Sequence, residues 1–196
     1  MRRRDLLELA SGWRVPDDEG RFERYLKQLD TFSREATQDD FWAFIVDLRK
    51  GGLGSQADYA FTVFPAVRLY IERFGETPGR LIVGYMEASQ AGEEEDEERY
   101  FSRLLEVAPG ERFTIWLSVL HRSKVGESVE QTLKRDVERL RLLEQFPYPD
   151  PLVGEALVRV EATQKPLTHA SNEEIRNRIS QSLWGEYNAR FAELLR

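Results

Sequence analysis

The spacing of apolar residues divides the chain into an N-terminal stretch of helical periodicity and a C-terminal stretch in which helix-like and strand-like segments alternate. Phe22, Tyr25, Leu26, Leu29 and Phe32 recur at intervals of one, three and four after the acidic start Asp17-Asp18-Glu19, which predicts an amphipathic helix. Thr37 has the character of an N-cap, with Gln38, Asp39 and Asp40 in a first turn where negative charge is favourable. Phe41, Trp42, Phe44, Ile45 and Leu48 form the stripe that follows, and Gly51-Gly52 ends it. Tyr59, Phe61 and Val63 alternate as a strand would, whereas Phe64, Val67, Tyr70, Ile71 and Phe74 suit a helix that starts near Pro65 and stops at Gly75. The helix is the reading adopted.

Thr77-Pro78-Gly79 reads as a turn, after which the pattern changes. Arg80 to Met86 contains Leu81, Ile82 and Val83, a short apolar run of the kind found in a strand covered on both faces. Residues 93–107 read as a helix with Tyr100, Phe101, Leu104 and Leu105 inward, broken by Pro109-Gly110. Residues 111–121 read as a strand, with Phe113, Ile115, Leu117 and Val119 on one face and Trp116 and Leu120 on the other. Ser128 and Gln131 form a capping-box pattern ahead of Val129, Leu133, Val137, Leu140, Leu143 and Phe146, and the segment Pro147-Tyr148-Pro149-Asp150-Pro151 stops that helix. A third strand is expected over 155–163, where Val158, Val160 and Ala162 alternate with Arg159 and Glu161. A second capping-box pattern, Ser171 to Glu174, opens a last helix with Ile175, Ile179, Leu183, Tyr187, Phe191 and Leu194 as its stripe.

The expected fold class is therefore α+β, or small α/β. A helical region over 1–76 precedes a βαβαβα region over 77–196 with a small sheet of about three strands, in one cooperative domain. Helices or a second subunit would have to cover the edges of so narrow a sheet.

Composition narrows the function classes. Hydrophobic residues make up 41% and charged residues 32%, which suits a globular protein with a heavily charged surface. No cysteine is present, so disulfides, thiolate metal sites and cysteine nucleophiles are excluded together, in keeping with a cytoplasmic protein. No apolar run approaches the roughly 20 residues that span a bilayer, so no membrane association is expected. The net charge of −7 disfavours broad attraction to a phosphate backbone and favours a basic protein partner.

Glu93, Glu94, Glu95, Asp96, Glu97 and Glu98 are six consecutive carboxylates. Such a run must lie in solvent, meet a cationic partner, or begin a helix whose dipole favours negative charge. Glu93, Glu94, Glu95 and Asp96 are taken as the candidate partner-binding residues. A divalent-cation site there is set aside, because consecutive carboxylates on a helix point in all directions and no calcium-loop spacing is present.

Two alternatives accompany this reading. His121, Arg122 and Lys124 end the second expected strand and Ser128 opens the next helix, a place where an enzyme or regulator can hold an anionic small molecule or phosphate against backbone donors, although no phosphate-cradling glycine pattern is present. Arg2, Arg3 and Arg4 offer a basic arm for nucleic acid, a reading weakened by the carboxylates that alternate with Lys134, Arg135, Arg139 and Arg141. The two histidines, His121 and His169, have no metal-ligand spacing, and no serine sits in a nucleophile-elbow pattern. No metal or cofactor is expected. The sequence leads to a soluble, non-catalytic protein that binds a macromolecular partner as an accessory, inhibitory or immunity-type factor, with homo-oligomerisation left open.

Overall fold

A computed structural model of the chain describes residues 3–11, 19–51, 56–120, 128–145 and 151–196. Ten helices and no strand occur among the described residues: α1 (Arg3–Ala10), α2 (Glu19–Glu35), α3 (Gln38–Lys50), α4 (Gln56–Phe74), α5 (Pro78–Ala91), α6 (Glu94–Val107), α7 (Arg112–Leu120), α8 (Val129–Gln145), α9 (Pro151–Thr163) and α10 (His169–Leu195). The expected α+β fold with a three-stranded sheet is thereby overturned. All three expected strands are helices, α5, α7 and α9, for two physical reasons.

The α5 and α7 segments are buried on nearly every side, and their short apolar runs have no period that separates a buried strand from a buried helix. In α5 every residue from Arg80 to Ala88 is buried, and in α7 Phe113, Thr114, Ile115, Trp116, Leu117 and Val119 are. The local signals at α5 are those of a helix. Thr77 Oγ1 accepts the Arg80 N–H at 3.2 Å as an N-cap, Pro78 occupies the first turn, and Gly92 closes the helix at φ 78°. For α9, period-two alternation misleads. The buried set is Val153, Ala156, Leu157 and Val160, at helical spacing, while Val158 is 68% exposed.

The expected helices form, with one shifted cap. Thr37 accepts the Asp40 N–H at 3.2 Å, and Ser128 and Gln131 exchange both capping-box bonds at 2.9 and 3.2 Å. The cap of the last helix lies three residues before the expected one, with Thr168 Oγ1 accepting from the Ser171 N–H. Pro65 lies inside α4, not at its start, and Gly75 at φ 88° ends that helix.

Two compact units result: Met1–Val107 with Phe191–Arg196, and Ala108–Arg190. In the first, α5 packs on α4 and α6, α4 also on α2 and α3, and α1 on α2 and α3. Phe32, Phe41, Phe44, Tyr70 and Phe74 form an aromatic cluster with centroid spacings of 5.0–6.2 Å. The buried Arg80 donates to the carbonyls of Phe74 and Gly75 at the end of α4 and of Leu195 and Arg196 at the end of α10, so one cation satisfies two helix C-termini. In the second unit α8 packs on α9 and α7, and Phe113, Trp116, Leu140, Leu143 and Tyr187 are buried.

Candidate functional site

The acidic run is the connection from α5 to α6. Gly92 turns the chain in the left-handed region, and the Glu93 N–H reaches back to the Ala88 carbonyl at 3.0 Å. The Glu93 carbonyl accepts the Glu97 N–H at 2.9 Å, so Glu94, Glu95, Asp96 and Glu97 occupy the first turn of α6, at the positive end of its dipole. Local helix chemistry thus stabilises four of the six carboxylates without any ligand.

The six carboxylates are not equivalent. Asp96 is half-buried, 2.7 Å from Arg99 Nη2 and 3.8 Å from Arg68 Nη1. Glu97 lies by Tyr85, whose hydroxyl pKa is raised by burial first and by the Glu97 charge second. Glu93, Glu94 and Glu95 are exposed, and no ion pair joins them to the described residues. Three exposed carboxylates without an ion pair among the described residues therefore lie at one helix start.

Beside them is an apolar groove that sequence reading treated as core. Phe22 and Leu26 of α2 and Phe61, Phe64, Pro65 and Arg68 of α4 line a hollow of about 220 Å³. Ala91 of α5 and Glu93 also line it. Phe22 and Phe61 meet edge to face at 5.6 Å, and Phe61 is 41% exposed. The helical stripe of α2 was legible, but not the split within it: Tyr25, Leu29 and Phe32 are buried, whereas Phe22 and Leu26 stay half-exposed. A second hollow, about 340 Å³, is lined by Arg3, Phe32, Glu35, Ala36 and Asp40 and is open and mixed in charge.

For the anion alternative, His121, Arg122 and Lys124 lie outside the described residues. Ser128 is described, and its hydroxyl is engaged by the Gln131 N–H in the α8 cap. In the same unit Arg176 donates to the Leu120 carbonyl at 2.7 Å, and the pKa of Arg139 is lowered by burial first and then by the charge of Arg135. Asp136, buried among them, accepts the Leu167 N–H at 2.9 Å. For the nucleic-acid alternative, Arg2 is outside the described residues, Arg3 pairs with Asp47 at 2.5 Å and Arg4 with Glu8 at 3.0 Å.

Among the described residues, no group of three or more His, Asp or Glu is placed to hold a metal ion, and no helix is long and apolar enough to cross a membrane. Comparison with protein-family models, curated protein sequences and solved structures yields no match to this chain.

Proposed function

We propose that this chain acts by binding a protein partner through the acidic start of α6, as a non-catalytic accessory or inhibitory factor. The observation that carries the reading is the contrast within the carboxylate run: Asp96 is neutralised by two arginines, while Glu93, Glu94 and Glu95 face solvent with no ion pair. Helix formation accounts for carboxylates in the first turn but does not need three of them exposed and unpaired. Such a patch steers a basic partner and makes association dependent on salt.

The test is capture from the native host with tagged wild-type chain and with a Glu93→Gln, Glu94→Gln, Glu95→Gln variant. A stoichiometric partner held by the wild type, released by moderate salt and lost from the variant supports the reading. Equal retention by both removes it. Binding of an anionic small molecule at His121, Arg122, Lys124 and Ser128 is the competing reading, and of these Ser128 alone lies among the described residues. A thermal-shift screen of nucleotides and phosphorylated metabolites separates the two, because a specific ligand raises stability by an amount that grows with the logarithm of its concentration over its Kd.

A further inference from the structure

We propose that the groove between α2 and α4 receives an amphipathic helical segment of the partner, with an apolar side chain seated against Phe22, Phe61 and Phe64 and a lysine or arginine at Glu93. The inference rests on the docking reading above and specifies the chemistry of what docks.

The groove has the form of a helix receptor. Phe22 and Leu26 stand four residues apart on α2, and Phe61, Pro65 and Arg68 stand four and three apart on α4. Each set therefore forms a ridge along its helix, with the hollow between the ridges. Neither ridge is the core-facing side, which is carried by Tyr25 and Leu29 in α2 and by Val63 and Val67 in α4. A hollow of about 220 Å³ admits one large aliphatic or aromatic side chain. Small-molecule sites add several convergent polar groups to an apolar lining. Among the described lining residues the charged side chains are Arg68 and Glu93, and Arg68 already faces Glu72 at 3.7 Å and Asp96 at 3.8 Å.

Charge fixes the polarity of the occupant. With Arg68 answered by two carboxylates, the exposed Glu93 and its neighbours Glu94 and Glu95 leave the α6 end of the groove negative. A cation one or two helical turns from the apolar anchor meets that end. A second copy of this chain is disfavoured, because it brings the same acidic run and a net charge of −7 to the contact. The walls are helices, with no strand edge among the described residues, which selects helix-in-groove recognition over strand addition.

The experiment pans a phage-displayed library of random 16-residue peptides on the intact protein. Recovered peptides are then titrated by fluorescence anisotropy against the wild type, Phe61→Ser, Ala91→Arg and a Glu93→Gln, Glu94→Gln double variant. The expected peptides carry apolar residues at three- and four-residue spacing with lysine or arginine to one side, bind at least tenfold more weakly to Phe61→Ser and Ala91→Arg, and bind severalfold more weakly to the double variant. Ala91→Arg crowds the groove without removing a packed ring, so it carries the test if Phe61→Ser fails to fold. No enrichment, or peptides that bind both groove variants as tightly as wild type, overturns the proposal. A dimer in sedimentation velocity that Ala91→Arg dissolves also overturns it, in favour of a second copy. Peptides sensitive only to the double variant remove the groove and leave the acidic docking reading standing. Peptides sensitive only to the groove variants, and without basic residues, remove the docking reading and the stated partner chemistry together.

Discussion

Arg49 Nη1 lies 2.5 Å from Glu87 Oε1, in a pair whose carboxylate side chain is 1% exposed, and the Arg49 guanidinium stacks 3.9 Å from the Phe191 ring centroid. Three segments distant in sequence, α3, α5 and the end of α10, are thus joined at one charged contact inside the first unit. A buried ion pair offsets its desolvation only with good geometry, and removing one partner strands the other charge. Glu87→Ala is therefore expected to destabilise the unit by about 3 to 5 kcal/mol, read as a lowered urea midpoint. The Arg49→Met, Glu87→Met double variant is expected to recover most of that loss. A Glu87→Ala midpoint equal to wild type contradicts the assignment.

Close backbone approach singles out two glycines. A Cβ on Gly84 would stand 2.8 Å from the Tyr100 ring, and one on Gly79 would stand 2.6 Å from the Leu194 carbonyl oxygen. Gly84→Ala forces the buried ring to move and is expected to cost about 1 to 3 kcal/mol despite alanine's better helix propensity, a loss that Tyr100→Leu in the same chain partly restores. Gly79→Ala meets backbone, which yields less readily. Hydrogen exchange in that variant should show faster exchange at the end of α10 than elsewhere in the first unit.

Asp136 is 2% exposed and accepts the Leu167 N–H, fastening the segment before α10 to α8. Asp136→Ala leaves that N–H without its acceptor and removes negative charge beside Arg135 at 3.6 Å. A loss of about 2 to 4 kcal/mol in chemical denaturation is expected, with Asp136→Asn milder because an amide oxygen can still accept. Equal midpoints for Asp136→Ala and wild type would contradict it.

Alkaline pH should unfold the first unit through its tyrosines. Burial raises the pKa of Tyr25 and Tyr85 and pushes Tyr100 up to about 12, the last against the opposing charge of Arg99. Because these folded-state values exceed the ordinary value of 10.0, their stabilising contribution is complete below pH 10 and declines as pH rises towards 12. A spectrophotometric titration should show Tyr25, Tyr85 and Tyr100 ionising only with loss of helical circular dichroism. A single transition near pH 10 with helicity intact contradicts this.

Local signals carried much of the fold. The Thr37 cap, the Ser128–Gln131 box and the Gly75 stop depend on residues within one or two turns, and each is found where the sequence places it. The acidic run could likewise be placed at a helix start. The candidate surface was less legible. Phe22, Leu26 and Phe61 have the spacing and hydrophobicity of core residues, and only the packing of α2, α4 and α5 leaves them lining a groove.

The sequence by itself determined the amphipathic helices α2, α3, α6, α8 and α10, because a helix with one wet face displays its period and its caps in the order of its own residues. Only the tertiary structure decided that Leu81-Ile82-Val83 and Phe113 to Val119 are helical, since in a segment buried on nearly every side the few polar positions do not mark one wet face and so do not reveal its period. It also decided which carboxylates are left unanswered. Asp96 meets Arg68 from α4 across the fold, while Glu93, Glu94 and Glu95, adjacent to it in the chain, are exposed and form no ion pair among the described residues.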